Sequence, residues 1–219
     1  MKLEMKKRIN TGIFLLLILL IMFLSKIIYL YTIIIILSFS FIEFSKIIKK
    51  IFIKAIFKQF FINSFFATYL FFLMLIFMIG INDIHFKIIL FLILLICISS
   101  DIGGIIFGKI FKGPRLTRIS PNKTFSGSMG SFTFSIFTST VLLNYSFKTD
   151  IIENVILGIV ISLSVQIGDL LFSFLKRKSF LKNTGNILPG HGGILDRIDG
   201  ILFGLPVGLI CILVMIYTV

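Results

Sequence analysis

Long apolar runs separated by short basic connectors repeat along the whole chain. Seven hydrophobic segments can be placed, at about 12–24, 27–42, 61–81, 88–108, 127–147, 152–175 and 200–218. Each of the last five contains roughly twenty residues, the length at which an α-helix crosses the hydrocarbon core of a bilayer. The first two are shorter, and they fit either two thin spans or a re-entrant helical hairpin. The pattern predicts an all-α integral membrane protein, a polytopic helical bundle of about seven hydrophobic segments.

The composition excludes a soluble domain of this size, because 58% of the 219 residues are hydrophobic and only 14% are charged. Cys97 and Cys211 both lie inside apolar runs, where they offer neither metal-ligand spacing nor a disulfide framework. The start of the chain, MKLEMKKRIN, imitates a signal peptide. No small-residue cleavage site follows the first apolar run, so we expect a retained anchor.

Positive charge is distributed unevenly among the connectors. Of the 22 lysines and arginines, all lie in the N-terminus or in the connectors at 44–60, 109–123 and 176–197 except Lys26, Lys87 and Lys148. By the positive-inside rule, the N-terminus and these connectors face the cytoplasm. This distribution accounts for the net charge of +13, so no nucleic-acid partner is expected. The connector at 44–60 fits a topogenic loop or an amphipathic helix on the anionic inner leaflet, and we favour the loop.

Two of the nine acidic residues, Asp101 and Asp169, lie within apolar segments. Each precedes the nearest cytoplasmic lysine by seven or eight residues, which places it about 10–12 Å inside the helix end. An unpaired carboxylate at that depth is costly, so each should face a polar cavity, a cation or a partner. The acidic residues expected near water, at segment ends or in loops, are Glu4, Glu43, Asp83, Asp150 and Glu153.

Polar residues recur at helical spacing around Asp169. Gln166, Asp169 and Ser173 are three and four residues apart, so they line one face of a helix. Gly168 leaves the neighbouring surface bare and allows a close backbone approach. This face either belongs to a functional site or is a polar stripe that joins two helices.

The stretch at 173–199 combines a basic cluster, a glycine-rich turn and a doubly acidic helix start. The cations able to neutralise phosphate oxygens are Lys176, Arg177, Lys182 and Arg197. The glycines that free backbone amides to approach an anion are Gly190, Gly192 and Gly193. Asp196 and Asp199, three residues apart on one helical face, offer the hard oxygen ligands that suit Mg²⁺. Together these parts suit phosphate chemistry.

This stretch resembles the signature of the phosphatidate cytidylyltransferase family, also called CDP-diacylglycerol synthase. The matching positions are Ser173, Lys176, Arg177, Lys182, Gly185, Pro189, His191, Gly192, Gly193, Asp196, Arg197 and Asp199. A second stretch extends the resemblance, with SDIGG at 100–104 and ISPNKTFSG at 119–127. The chain departs from the family pattern at Ile105, Phe125, Ser126 and Asn183, the last of which stands where an aspartate is usual.

The resemblance implies the transfer of a cytidylyl group from CTP to phosphatidate, which yields CDP-diacylglycerol and pyrophosphate. The residues it makes catalytic are Asp169, Lys176, Arg177, Lys182, His191, Asp196, Arg197 and Asp199. Those it assigns to substrate binding are Asp101, Ser120, Lys123, Thr124, Gln166, Ser173, Gly192 and Gly193. It also implies Mg²⁺, alone or with a monovalent cation, on Asp169, Asp196 and Asp199. For His191 two roles stay open, an acid and a turn histidine that fixes the loop, and we favour the second.

On this resemblance, residues 1–60 are interpreted as an N-terminal hydrophobic hairpin with a basic connector, and residues 61–219 as a membrane-embedded catalytic domain. We expect a multi-pass protein of the bacterial inner membrane, whose active site is a polar funnel open to the cytoplasm. The expected partners are CTP, phosphatidate and membrane lipids, and a homodimer is compatible with them. Three alternatives stay open: a CTP-dependent kinase of polyprenols or phytol, a membrane transporter, and an inactive homologue.

Overall fold

The computed structural model describes residues 12, 14, 17–117, 119–120, 123–147, 149–185, 187 and 192–218, with side chains to residue 215. Its helices are α1 (Lys26–Ile51), α2 (Ile56–Asn82), α3 (Ile84–Phe111), α4 (Phe125–Phe147), α5 (Ile151–Lys178) and α6 (Leu195–Thr218). Residues 17–24 are also helical and precede α1 directly. The described residues contain no β-strand, and Arg115 and Thr124 form an isolated bridge. The prediction of a helical fold is therefore confirmed for this part of the chain.

Five of these helices, namely α1, α2, α3, α5 and α6, are long and apolar enough to cross a membrane, when the described residues are searched. α4 coincides with the hydrophobic segment predicted at 127–147 but is not among these five. Glycine, serine and threonine occupy much of α4 and lower its hydropathy. The total of about seven membrane segments stays a prediction.

α1 is much longer than the short second segment that the sequence pattern predicted. The helix has 26 residues and a length of about 39 Å, enough to cross a bilayer. The loop predicted at 44–60 is wrong, since only residues 52–55 separate α1 from α2. Gln59 closes this short turn, because its Nε2 atom donates to the Phe52 carbonyl oxygen at 2.6 Å. Lysines do not end a helix by themselves, so the basic residues continue it.

The chain folds as two compact units. The first comprises Met1–Lys87 with Leu175–Ile198, and the second comprises Ile88–Phe174 with Asp199–Val219. α3, α5 and α6 each contribute residues to both units. The division of the chain into 1–60 and 61–219 stays a prediction.

In the first unit, α1 packs against α2 through aromatic and aliphatic side chains. The rings of Phe44 and Phe66 stack with their centroids 3.9 Å apart. Lys87 is buried, and its ammonium donates to the Phe23 carbonyl oxygen at 2.7 Å. The same ammonium lies 5.1 Å from the ring centroid of Tyr29. A helix-end carbonyl and a ring face thus stabilise this buried charge.

In the second unit, small residues and hydroxyl groups hold α4 against α3 and α5. A Cβ atom on Gly130 of α4 would lie 2.5 Å from the Gly103 carbonyl oxygen of α3. The Ser135 hydroxyl donates to the Gly158 carbonyl oxygen at 2.7 Å, which ties α4 to α5. In lipid, close packing of small residues and such hydrogen bonds are what associate helices. α4 is therefore polar because its small side chains face other helices.

Candidate functional site

Part of the predicted site in the first unit is built around Asp196, in the first turn of α6. One oxygen of its carboxylate accepts a hydrogen bond from the Lys176 ammonium at 2.8 Å. The other accepts from the backbone amides of Thr184 at 2.9 Å and Gly193 at 3.1 Å. Only 8% of the Asp196 side chain and 13% of the Lys176 side chain are exposed. Asp196 therefore joins the end of α5, the 181–185 segment and the start of α6.

A second carboxylate at this turn, that of Glu43 on α1, was not predicted from the sequence. The Glu43 side chain is fully buried. Its Oε2 atom accepts from the Thr184 hydroxyl at 2.7 Å and the Leu195 amide at 2.9 Å, and its Oε1 atom accepts from the Ile194 amide at 3.2 Å. Amides at the start of a helix lack intrahelical acceptors and carry partial positive charge. Glu43 therefore caps α6 from another helix.

The prediction that Glu43 lies near water at a segment end is wrong. α1 continues eight residues beyond it, to Ile51, so Glu43 lies about 12 Å inside the helix. The signal in the sequence is one acidic residue within the apolar run FIEF. The distance from the helix end marks Glu43 as a carboxylate deep inside a helix, as it marks Asp101 and Asp169, but only once the end of α1 has been placed correctly.

Glycine is required at positions 185 and 193 because these carboxylates lie so close to the backbone. A Cβ atom on Gly193 would overlap the Glu43 carboxylate, and one on Gly185 would overlap it as well. Gly192 has a φ of +85°, a conformation that side chains disfavour. The Gly193 amide, predicted to approach a ligand anion, donates here to Asp196. The backbone at Gly185 and Gly193 thus lies against carboxylates of the chain itself.

The second unit places Asp169 of α5 in an ion pair with Lys123. Their side chains are 28% and 24% exposed, so the pair is partly open to its surroundings. Lys123 belongs to a loop that folds back on itself. Its amide donates to the Ser120 carbonyl oxygen at 3.0 Å, and its carbonyl oxygen accepts from the Leu116 amide at 2.8 Å. The structure thereby brings together two residues that the sequence assigned to one site from separate motifs.

Gln166, on the same predicted face as Asp169, connects α5 with α4 and α3. Its amide oxygen accepts from the Ser128 hydroxyl at 2.5 Å, and its amide nitrogen donates to the Ser162 hydroxyl at 3.2 Å. The Ser162 and Ser100 hydroxyl oxygens are 2.9 Å apart. Gln166 is thus a polar link between helices, whereas Asp169 reaches a cation. The interpretation as a polar stripe that joins helices is confirmed for Gln166, and the role of Asp169 in a functional site stays a prediction.

Asp199 lies in the second unit, on α6, and is 6% exposed. Its carbonyl oxygen lies against the bare face of Gly168, where a Cβ atom would come within 2.7 Å. Its carboxylate accepts from the Gly200 amide at 3.0 Å. Among the described residues, no three His, Cys, Asp or Glu side chains form a group able to hold a metal ion. The assignment of Asp169, Asp196 and Asp199 to Mg²⁺ stays a prediction.

The other predicted site residues are spread over both units. Thr124 caps α4, since its hydroxyl oxygen accepts from the Gly127 amide at 3.1 Å. The exposed side chains are those of Arg177, Lys182 and Arg197. The partly buried side chains are those of Asp101, Ser120 and Ser173. The predicted positions that lie outside the described residues are Pro189, Gly190 and His191.

The chain is similar to one protein family over nearly its whole length. Residues 4–215 match the model of the cytidylyltransferase family. The phosphatidate cytidylyltransferase of Mycobacterium leprae is 40% identical over 117 residues, which cover 51% of this chain and 36% of the relative. Those of Staphylococcus haemolyticus and Helicobacter pylori are 38% identical over 127 and 113 residues, covering 57% and 51% of this chain and 48% and 42% of the relatives. The chain thus spans less than half the length of these curated relatives.

Proposed function

Because the chain belongs to the cytidylyltransferase family, we propose that it transfers a cytidylyl group from CTP to phosphatidate, a step of phospholipid biosynthesis. The observation that carries the proposal is the presence of two pairs of opposite charge, Lys176 with Asp196 and Lys123 with Asp169. Lys176, Asp196 and Lys123 lie in the stretches that resemble the family signature, and Asp169 is a residue that the resemblance makes catalytic. Each joins a cation suited to phosphate with a carboxylate suited to a divalent metal.

The proposed reaction is a displacement at phosphorus. An oxygen of the phosphatidate phosphate attacks the α-phosphorus of CTP, and a new P–O bond forms. The bond between the α-phosphorus and the oxygen shared with the β-phosphate breaks, and pyrophosphate leaves with that electron pair. The attacking oxygen is already anionic, so no strong general base is required. The main difficulty is to bring two polyanions together, which calls for cations and accurate positioning.

Lysines that are held by aspartates are suited to this task. The Lys176 ammonium lies 2.8 Å from Asp196, and an arriving phosphate would exchange with that carboxylate. Asp196 also accepts from two backbone amides, so its position does not depend on Lys176 alone. Lys123 likewise forms an ion pair with Asp169, which an arriving phosphate would replace. The exposed cations that would take up the remaining phosphate charge are Arg177, Lys182 and Arg197.

The donor chemistry of the aspartates fits Mg²⁺, alone or with a monovalent cation. Carboxylate oxygens are preferred protein ligands of Mg²⁺, and Asp169 and Asp199 lie on α5 and α6, which approach closely at Gly168. Asp196, the third proposed ligand, would have to release Lys176. Bound Mg²⁺ would supply positive charge for the triphosphate and the departing pyrophosphate.

We also propose that the chain is a multi-pass protein of the bacterial inner membrane, with its N-terminus and its site on the cytoplasmic side. The concentration of lysine and arginine in alternate connectors supports this orientation. CTP would reach the site from the cytosol through a polar funnel, and phosphatidate would reach it from the lipid. A homodimer is compatible with this arrangement.

The proposed reaction is tested with the purified full chain in detergent micelles that contain phosphatidate. CTP labelled in its α-phosphate is supplied with Mg²⁺ or with EDTA, and the lipids are then separated. We expect the label in a cytidine-bearing lipid with Mg²⁺ and none with EDTA. A parallel reaction with γ-labelled CTP detects the alternative lipid kinase. Lipid labelled from γ-labelled CTP only, or no labelled lipid in any reaction, would overturn the proposal.

Asp169→Asn tests the site within this reaction. The substitution removes the carboxylate that pairs with Lys123, and we expect the rate to fall by about 10²–10³-fold or more. Asp150→Asn, at an exposed position before α5, is the matched control and should keep the wild-type rate. Size-exclusion chromatography in detergent checks that both variants are folded. A folded Asp169→Asn variant with a rate near that of the wild type would contradict the proposed role.

A further inference from the structure

The first unit contains a cavity of about 450 Å³ that the proposed function leaves without a role. It is lined by Lys46, Lys49 and Lys50 of α1, by Ile53 of the following turn, and by Leu181 and Thr184 of the 181–185 segment. Ligand pockets in proteins have volumes of roughly 300–1,000 Å³, so the cavity is large enough for a small molecule or a lipid headgroup. None of its lysines belongs to the stretches that resemble the family signature.

The cavity is strongly positive. Lys49 and Lys50 follow Lys46 by three and four residues. At this spacing the three side chains lie on one side of α1. All three are exposed, and the ion pairs of the described residues involve other lysines. No carboxylate is among the described lining residues. Three lysine side chains on one cavity, with no carboxylate among its described lining residues, favour an anionic ligand.

Exposed apolar side chains follow these lysines along the chain, and Ile53 among them lines the cavity. Ile53 is 76% exposed, and Ile56 and Phe57 at the start of α2 are 74% and 83% exposed. Exposed aliphatic and aromatic side chains near the end of a membrane helix contact acyl chains at the interface. A ligand of this cavity would therefore combine an anionic head with a hydrocarbon tail. An anionic phospholipid meets both requirements, whereas a nucleotide or a free phosphate meets only the first.

We infer that this cavity binds the phosphate headgroup of an anionic phospholipid and that phosphatidate, the acceptor lipid, docks there. The choice of phosphatidate rests on the proposed function. Its phosphate is a monoester with a charge of roughly −1.5 to −2, which three ammonium groups select over a zwitterionic headgroup. Thr184 connects the cavity with the signature turn, since its amide donates to Asp196 and its hydroxyl to Glu43. A docked headgroup therefore contacts the segment that positions Asp196.

Binding is measured by calorimetric titration of the purified full chain in detergent with dioctanoyl phosphatidate. Dioctanoyl phosphatidylcholine, glycerol 3-phosphate and inorganic phosphate are the comparison ligands. The cavity variant combines Lys46→Gln with Lys49→Gln. The matched control combines Lys54→Gln with Lys58→Gln, two exposed lysines of the same connector that are not part of the cavity lining. Both variants lose the same charge, and all four positions are exposed, so folding should be retained.

We expect the cavity variant to bind dioctanoyl phosphatidate about tenfold or more weakly than the wild type, because two charge-assisted contacts are lost. The control variant should bind within about twofold of the wild type. Phosphatidylcholine and the two free phosphates should bind the wild type far more weakly than phosphatidate does. Unchanged affinity in the cavity variant, an equal loss in both variants, or inorganic phosphate that binds as tightly as phosphatidate would each overturn the inference.

A kinetic measurement distinguishes failure of this inference from failure of the proposed function. In mixed micelles the cavity variant should show a KM for phosphatidate that is about tenfold higher, with the KM for CTP unchanged. Transfer with a wild-type KM for phosphatidate in the cavity variant would overturn the docking site and leave the proposed function in place. Absence of transfer by the wild type, together with the expected binding pattern, would overturn the proposed function and leave the lipid site in place.

Discussion

At the scale of single residues, two buried carboxylates join the 181–185 segment to the start of α6. Asp196 accepts from the amides of Thr184 and Gly193, and Glu43 accepts from the Thr184 hydroxyl and from amides at the start of α6. Hydrogen bonds in a buried, low-dielectric environment are strong, and the loss of one partner is correspondingly costly. The positions of Thr184 and of the start of α6 therefore depend on Glu43, which lies far outside the signature in the sequence.

Glu43→Gln should lower the free energy of unfolding by about 1–3 kcal/mol, because the new amide group turns a donor toward backbone donors that need an acceptor. Thermal unfolding in detergent measures the change. Glu153→Gln, in the first turn of α5, is the matched control. The control should lower the free energy of unfolding by less than about 1 kcal/mol, since it removes only the interaction of Glu153 with the helix dipole. A melting temperature for Glu43→Gln at or above that of Glu153→Gln would contradict the buried capping role.

At the scale of elements, α1 and α4 depart most from their hydrophobic patterns. α1 continues through its basic residues to Ile51, so its last turns carry both the buried Glu43 and the exposed lysines. α4 is helical although it is not apolar enough to be one of the five candidate spans in the described chain. Its buried glycines and serines pack against other helices. In both cases tertiary packing, more than apolar length, determines the extent and surroundings of the helix.

Gly130→Ala should destabilise the protein by about 1–3 kcal/mol, because an added Cβ atom would meet Phe107 and the backbone of Gly103. Gly12→Ala is the matched control, since a Cβ atom there would meet nothing within 4 Å. The control should be neutral or stabilising by up to about 1 kcal/mol, because alanine favours a helix more than glycine does. Thermal unfolding in detergent compares the two variants. Equal melting temperatures would mean that α3 and α4 do not pack closely at this position.

At the scale of the whole molecule, the positive charge is the main guide to orientation. The connectors rich in lysine and arginine alternate with connectors that contain few of them. In a bacterial membrane such an asymmetry directs the basic side toward the cytoplasm. The proposed access of CTP depends on that orientation, because the lysines paired with Asp169 and Asp196 belong to the basic connectors or their edges.

Cysteine labelling tests the orientation in a background where Cys97 and Cys211 are replaced by serine. Lys54→Cys, in the turn between α1 and α2, should react with a membrane-impermeant maleimide in inverted vesicles and not in intact spheroplasts. Tyr145→Cys, at a position that is 90% exposed near the end of α4, should show the opposite pattern. Labelling of both positions from the same side would contradict the proposed topology.

Much of the fold and part of the site could be predicted from local patterns. Each described helix covers a predicted apolar segment, and Lys123 and Asp169, assigned to one site from separate motifs, form an ion pair. Glu43 was misplaced because a single acidic residue next to lysines is typical of a segment end. Its burial depends on where α1 ends and on what packs beside it, and neither is encoded in the neighbouring residues.

The sequence by itself determined which segments of the chain form helices, that basic residues concentrate in alternate connectors, and to which family the chain belongs, but it did not determine where α1 ends. These properties depend on residue type and on spacing over a few turns of chain. Only the tertiary structure decided which partner each charged group has: Lys176 for Asp196, and the amides at the start of α6 for Glu43. The last of these contacts joins residues 152 positions apart, and such pairings arise from helix packing, which local spacing does not specify.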